Sequence, residues 1–356
     1  MPMTSIPHLL TDWYRANSRD LPWRETSDPY RIWVSEIILQ QTQVAQGLPY
    51  YLAFVQTYPT VGDLAEAPVD DVLKLWQGLG YYSRARNMHR AARAVVEQWH
   101  GRFPQTPEEL RTIPGIGPYT AAAVASFAFK VPVPAVDGNV CRVVARCTGL
   151  TEPVDTASGR KMVEEKARDW MSSVEPDLFN QAIMDFGAMQ CVPAAPHCDV
   201  CVLREVCVAF KAGLVAQLPA KKMRPKVRDR FFNYIVVRCG DVYYLQQRTG
   251  KDIWCGLFEF PLIETDAETA WDRLTVTEAW QRWFRGTVPA VSSDVYACVH
   301  QLTHQRLHVQ FVRVAVGTAP CGDAGWLAVR REDLGHYAVP RVIDRYLQTG
   351  IAADSF

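Results

Sequence analysis

The sequence predicts an all-helical first domain followed by an α+β second domain, on three observations. Up to about residue 218 the apolar residues recur at helical spacing. At "LPAKKMRPKVRDR" (218–230) the composition shifts to six basic residues, one acidic residue and two prolines, as in a linker or exposed arm. Beyond it the period becomes two, as in strands. These place the domains at 1–218 and 230–356, with a basic linker over 219–229.

In the first domain, Asp28–Pro29 is an N-cap and first-turn pair for a helix carrying "IWVSEIILQQTQV" (32–44). Val69, Val72, Leu73 and Trp76 mark a second helix, stopped by Gly78 and Gly80. "SRARNMHRAARAVVEQW" (83–99) and "SGRKMVEEKARDWMSSV" (158–174) are amphipathic helices, and "LRTIPGIGPYTAAAVASFAF" (110–129) reads as helix, tight glycine turn, helix. In the second domain, "NYIVVR" and "VYYLQQR" flank Cys239–Gly240–Asp241 as a hairpin. "LHVQFVRVAV" (307–316) is a further strand, and "PRVIDRYLQTG" (340–350) is a closing helix.

The 356 residues are 48% hydrophobic with zero formal net charge, so the total charge does not argue for an anionic partner. No segment approaches the roughly 20 apolar residues of a membrane span. No signal peptide is seen, so a cytoplasmic protein is expected. Of the ten cysteines, Cys191, Cys198, Cys201 and Cys207 fall within seventeen residues, spaced x6, x2 and x5. Without an export signal, this crowding points to a metal centre rather than disulfides. A single CxxC bracketed by longer arms favours an iron–sulfur cluster over zinc.

Two features suggest phosphate contact. Gly115 and Gly117 in "IPGIGPYTAA" either form a plain tight turn or let backbone N–H groups approach a phosphate at a helix N-terminus. Arg84, Arg86, Arg90 and Arg93 lie on a helix stretch (83–93) without an acidic residue, either a solvated face or a phosphate-tracking surface. Tyr81 and Tyr82, on a glycine-hinged loop, are either core residues or a wedge against bases.

Glu36 is a carboxylate inside an apolar helix, on the same helical face as Gln40 and Gln43, with Trp33 and Leu39 beside it. It is either half of a buried salt bridge or a pocket acid. Asp137 in "PAVDGNVCRV" (134–143) either caps the following helix or serves as a second pocket carboxylate. One protonated and one ionised carboxylate would suit glycosyl transfer.

In this order, "LPWR" (21–24), "WVSEIILQQTQV" (33–44), "GLGYYSRARN" (78–87), "IPGIGPYTA" (113–121), "VDGNVCRV" (136–143) and "FNQAIMDFGAMQC" (179–191), followed by the cysteines, resemble the MutY-type adenine DNA glycosylases. These form part of the helix–hairpin–helix superfamily that includes endonuclease III. The resemblance implies a helix–hairpin–helix domain with a [4Fe–4S] cluster loop, its ligands Cys191, Cys198, Cys201 and Cys207. It implies Glu36 as the acid that protonates adenine at N7, Asp137 as the carboxylate that stabilises the sugar cation, and Tyr119 and Asn139 as their assistants. Trp23 would line the adenine pocket, and Gln41, Thr42, Leu79 and Tyr81 would wedge the duplex and contact the opposite base.

In endonuclease III a lysine nucleophile follows the second glycine of the hairpin by two residues. Tyr119 stands there in this chain, so Schiff-base lyase chemistry is not expected and the implied enzyme is monofunctional. The second domain, through "WCGLFEFP" (254–261), resembles the Nudix-like C-terminal domain of the family but lacks the R-E-x-x-E-E hydrolase motif. Where the family reads 8-oxoguanine with Phe-Ser-His, this chain has Leu302, Thr303 and His304. The implied partner is double-stranded DNA carrying A·8-oxoguanine or A·G mispairs, bound by a monomer. The alternatives are a related glycosylase/lyase for oxidised pyrimidines or thymine mismatches, and a non-enzymatic iron–sulfur DNA-binding protein.

Overall fold

The computed structural model describes residues 5–222, 227–285, 287–320 and 325–350. The chain forms two compact units, Met1–Ala67 with Asn87–Met223 and Pro68–Arg86 with Arg224–Phe356. Sequence periodicity gave no hint that 68–86, helical like its neighbours, belongs with the second unit. Residues 223–226 of the expected linker lie outside the described residues.

The helices up to the first strand are α1 Ile6–Asn17, α2 Pro29–Leu39, α3 Val44–Thr57, α4 Val61–Glu66, α5 Val69–Leu75, α6 Ser83–Trp99, α7 Pro107–Leu110, α8 Pro118–Phe129, α9 Gly138–Thr148, α10 Ala157–Met171, α11 Pro176–Asp185 and α12 Val208–Lys211. Helix α5 lies in the second unit, as do residues 83–86 at the start of α6. Local chemistry fixes the ends that matter. The Tyr30 N–H donates to Asp28 Oδ1 (2.9 Å) to cap α2, with Pro29 in its first turn. Gly117 is the N-cap of α8 and Pro118 its first residue, while Asp137 caps α9.

The first unit's core gathers Leu10 of α1, Val140, Val143 and Val144 of α9, Val163 and Ala167 of α10, and Phe179 and Ile183 of α11. Helix α2 buries Ile32, Trp33, Val34, Ile37 and Ile38, and α8 buries Ala121 through Ser126. The small side chains of α8 allow close helix packing. Among the described residues no helix is long and apolar enough to cross a membrane.

The second unit is built on a mixed sheet of β1 Arg228–Cys239, β2 Val242–Gln247, β3 Phe258–Glu259, β4 Leu262–Thr265, β5 Ala290–Val291, β6 Tyr296–Gln301, β7 Gln305–Ala315 and β8 Leu327–Arg330. Strands β1 and β7 run parallel, paired from Arg228↔Gln305 to Arg238↔Ala315. The period of two along β1 divides its side chains between two cores. Phe232, Tyr234 and Val236 meet Val342, Ile343 and Tyr346, while Ile235 and Val237 meet Trp280, Trp283 and Phe284. These partners lie on or beside the helices α13 Trp271–Leu274, α14 Glu278–Trp283 and α15 Arg341–Gly350. A sheet covered on both faces explains why β1 is apolar on both sides. The β1–β2 hairpin turns at Gly240–Asp241, with Gly240 at φ +58°. The β6–β7 hairpin, paired Gln301↔Arg306, carries Leu302, Thr303 and His304 in its turn.

Candidate active site

The first unit holds a cavity of about 1070 Å³, lined among others by Trp23, Glu36, Tyr119, Asp137 and Asn139. Gln40, Gln41, Thr42, Gln43, Gly115 and Gly117 line it as well. The polar stripe expected from helical spacing takes a different form. Helix α2 stops at Leu39, Gln41 takes a left-handed φ of 56°, and Gln43 caps α3. Leaving the helix turns all four residues of "QQTQ" onto the cavity, including Gln41 and Thr42, which a continuous helix would have directed elsewhere.

The two carboxylates are held differently. The Tyr119 hydroxyl donates to Glu36 Oε2 at 2.7 Å. Burial pushes the Glu36 carboxyl up to about 7; the Tyr119 hydrogen bond and Arg24 oppose the rise, and the charge of Asp137 adds to it. Asp137 accepts from the Val140 N–H and from Asn139 Nδ2, each at 2.8 Å. It is thus both a helix cap and a cavity carboxylate, and the two sequence readings coexist. Burial raises its pKa above the usual carboxylate range, and these two donors offset only part of the rise. Arg142 orients Asn139 by donating to its Oδ1 at 2.7 Å, and is itself held by the Gly187 carbonyl (2.6 Å) and the Cys191 carbonyl (2.7 Å). A side chain at Gly187 would put its Cβ 2.6 Å from Asn139 Cβ, so only glycine permits this approach.

Sequence reasoning missed the support behind the wall. Asp185, fully buried, accepts from Arg24 Nη1 and Nη2 (both 2.6 Å) and from Arg19 Nε (3.0 Å). Both arginines line the cavity. Asp185 gave a weaker form of the signal at Glu36, an acid in a less apolar helix. Trp23 sits in a short 3₁₀ turn with its ring edge-on to Tyr51 at 5.1 Å.

The remaining candidates lie in the second unit. Leu79 is buried; Tyr81 is 47% exposed, at φ +49°. The Tyr81 hydroxyl hydrogen-bonds Thr303 Oγ1, joining two positions 222 residues apart. Arg84 stacks over both Trp76 (5.0 Å) and Tyr81 (5.7 Å). Leu302 packs against the core below the hairpin, and the His304 carbonyl accepts from the Arg228 N–H.

The cofactor expectation is corrected. Among the described residues no group of three or more His, Cys, Asp or Glu side chains is arranged to hold a metal ion. Cys191, Cys198, Cys201 and Cys207 do line one cavity, but at about 20 Å³ it has room for little more than a water molecule. Cys207 also directs its thiol to the Arg146 carbonyl at 3.4 Å. The residues as arranged do not fit a [4Fe–4S] cluster.

A helical domain with a glycine hairpin, a carboxylate cavity and an appended Nudix-like sheet defines a class of DNA repair protein. Residues 34–173 match the HhH-GPD superfamily of base excision DNA repair proteins, and residues 233–349 match the NUDIX domain. Over 314 residues the chain is 31% identical to an adenine DNA glycosylase of Buchnera aphidicola subsp. Schizaphis graminum, covering 87% of each. Over 386 residues it is 32% identical to a human adenine DNA glycosylase, covering 91% of this chain and 70% of that one. The chain belongs to the adenine DNA glycosylase family of the HhH-GPD superfamily. Among solved structures, a thermostable thymine-DNA glycosylase aligns with a TM-score of 0.54 at 29% identity, covering 58% of this chain and 95% of that one. A non-covalent endonuclease III–DNA complex shares the fold, with a TM-score of 0.51 at 23% identity over 59% of this chain and 96% of that one.

Proposed function

We propose that this protein is a monofunctional DNA glycosylase that hydrolyses the N-glycosidic bond of adenine mispaired with 8-oxoguanine or guanine, acting as a monomer on intracellular duplex DNA. The observation that carries the reading is one cavity holding two carboxylates with different hydrogen-bond partners, Tyr119 donating to Glu36 while Val140 and Asn139 donate to Asp137. Relatives named adenine DNA glycosylase support the choice of base.

The chemistry follows from the two environments. Glu36, protonated up to about pH 7, gives its proton to N7 of the extruded adenine and so makes the base a neutral leaving group. The bonding pair of the C1′–N9 bond leaves with the base, and positive charge develops on the sugar. Asp137, whose ionised form its two donors favour against the effect of burial, stabilises that charge until water adds at C1′ and passes a proton to the Glu36 carboxylate. Tyr119 aims Glu36, and Asn139, held by Arg142, aims Asp137. Neither step needs an amine nucleophile.

Under this reading residues 1–218 carry the chemistry, 219–229 link, and 230–356 read the opposite base. Gln41, Thr42, Gly115 and Gly117 meet the DNA at the cavity, while Leu79 and Tyr81 act with Leu302, Thr303 and His304 in the second unit. The test is excision from A·8-oxoguanine, A·G and A·C duplexes by the full chain. A preference for the first two, with abasic product and no borohydride-trapped amine adduct, is expected. Trapping through an amine, or excision of oxidised pyrimidines instead, would favour the lyase reading.

A further inference from the structure

Trp254 has an unusual backbone for an aromatic residue, with φ +59°. The loop around it fixes this conformation. The Leu257 N–H donates to the Trp254 carbonyl (3.0 Å), the Gly256 N–H to the Arg248 carbonyl (2.6 Å), and Arg248 Nε to the Ile253 carbonyl (3.0 Å). Arg86 donates to the next carbonyl, that of Cys255. Strain held in place by surrounding bonds is commonly spent on aiming a side chain.

The indole it aims lies 5.8 Å from the His300 ring and edge-on to Phe232 at 6.1 Å. His300 stands near the end of β6, two residues before Leu302, and Trp254 and Leu302 pack on the same core cluster. Burial and the nearby Arg345 and Arg341 hold the His300 imidazole below its usual range, so it meets the indole as a neutral ring. The turn itself is tied by the Leu302 N–H to the Gln305 carbonyl (2.8 Å) and by Gln301 Nε2 to the Leu302 carbonyl (2.8 Å). Those bonds shape the turn. Pairing with β7 sets the register of the strand that leads into it, and the Trp254–His300 contact packs against one face of that strand's end.

We propose that Trp254 is a positioning residue for the Leu302–Thr303–His304 hairpin, and through it sets how strongly the protein distinguishes 8-oxoguanine from guanine opposite adenine. This rests on the function proposed above. Leu302 is aliphatic and supplies no ring to the hairpin, and Trp254 is an aromatic side chain packed on the same core cluster as Leu302.

The test uses the full chain on A·8-oxoguanine and A·G duplexes, measuring apparent affinity and single-turnover excision separately, with thermal melts as a folding check. Trp254→Ala is expected to lower the affinity preference for the 8-oxoguanine duplex roughly fivefold to tenfold, the scale of one aromatic contact, with the single-turnover rate at saturation unchanged. Trp254→Phe is expected to restore most of the preference. Trp254→Gly relieves the backbone strain but removes the ring, so it should melt no lower than the alanine variant and still lose the preference. Full preference in folded alanine or glycine variants would overturn the proposal, as would an equal loss of excision on both duplexes. A wild-type protein that excises adenine from neither duplex would overturn the functional reading itself, and that arm is read before any variant.

Discussion

Tyr119, two residues beyond the second glycine of the hairpin, donates its hydroxyl to Glu36 at 2.7 Å across 83 residues of sequence. That bond ties the glycine turn to the acid. It also works against the rise in the Glu36 pKa that burial produces. Removing it in Tyr119→Phe should let that pKa rise further. The alkaline limb of the single-turnover pH–rate profile should move to higher pH, and the plateau should fall roughly tenfold as orientation is lost. An unshifted limb would show that Tyr119 does not face the acid during reaction.

The alkaline side of the wild-type pH profile follows from Glu36. With its carboxyl at about 7, excision should fall as pH rises above that value, because only the protonated form can donate. Stability should follow the same group. The folded state keeps a proton that the unfolded chain releases between about 4.5 and 7, so stability falls as pH rises across that window. Glu36→Gln removes this dependence. Chemical denaturation at pH 8 should find it more stable than wild type, on the order of 2 kcal/mol.

Asp185 is the charge that Arg19 and Arg24 share behind the cavity. Burial works against its ionised form, but hydrogen bonds from Arg24 and Arg19 hold its carboxyl below the usual range. Its contribution is therefore present above the ordinary carboxylate pKa and is lost as pH falls through the depressed one. Asp185→Asn leaves two arginines without their anion and should cost about 3–5 kcal/mol in urea unfolding at neutral pH.

Gly187 and Gly117 make a paired comparison. Gly187→Ala drives a Cβ into Asn139 and should cost about 1–3 kcal/mol, with slower excision because Asn139 and Asp137 move together. A Cβ on Gly117 meets nothing within 4 Å, so Gly117→Ala should leave the melting temperature nearly unchanged. Any weakening of DNA binding in that variant would then report on the DNA contact and not on folding.

Much of this was legible in the sequence, and the failures have physical causes. The two periodicities separated helices from strands because each unit buries one kind of face. Glu36 stands out as a charge in an apolar run, whereas Asp185 follows Asn180 and Gln181 in a less apolar helix, and its arginine partners are distant in sequence. The wheel correctly directs Glu36, Gln40 and Gln43 to one cavity, but it does not reach Gln41 and Thr42, because no cap residue announces that α2 ends at Leu39. The return of residues 68–86 to the second unit was invisible, since tertiary contacts such as Tyr82 Oη to the Val339 carbonyl leave no local pattern. The cysteine spacing implied a cluster, but spacing carries no information about the volume the thiols enclose.

In the proposed reaction, release of adenine depends on the proton that Glu36 supplies. The most direct measurement is single-turnover excision of adenine from an A·8-oxoguanine duplex by Glu36→Gln, with duplex affinity measured on the same preparation. Wild-type affinity with excision reduced by roughly 10²-fold or more is expected. Near-normal excision by a variant that binds normally would contradict that role for Glu36.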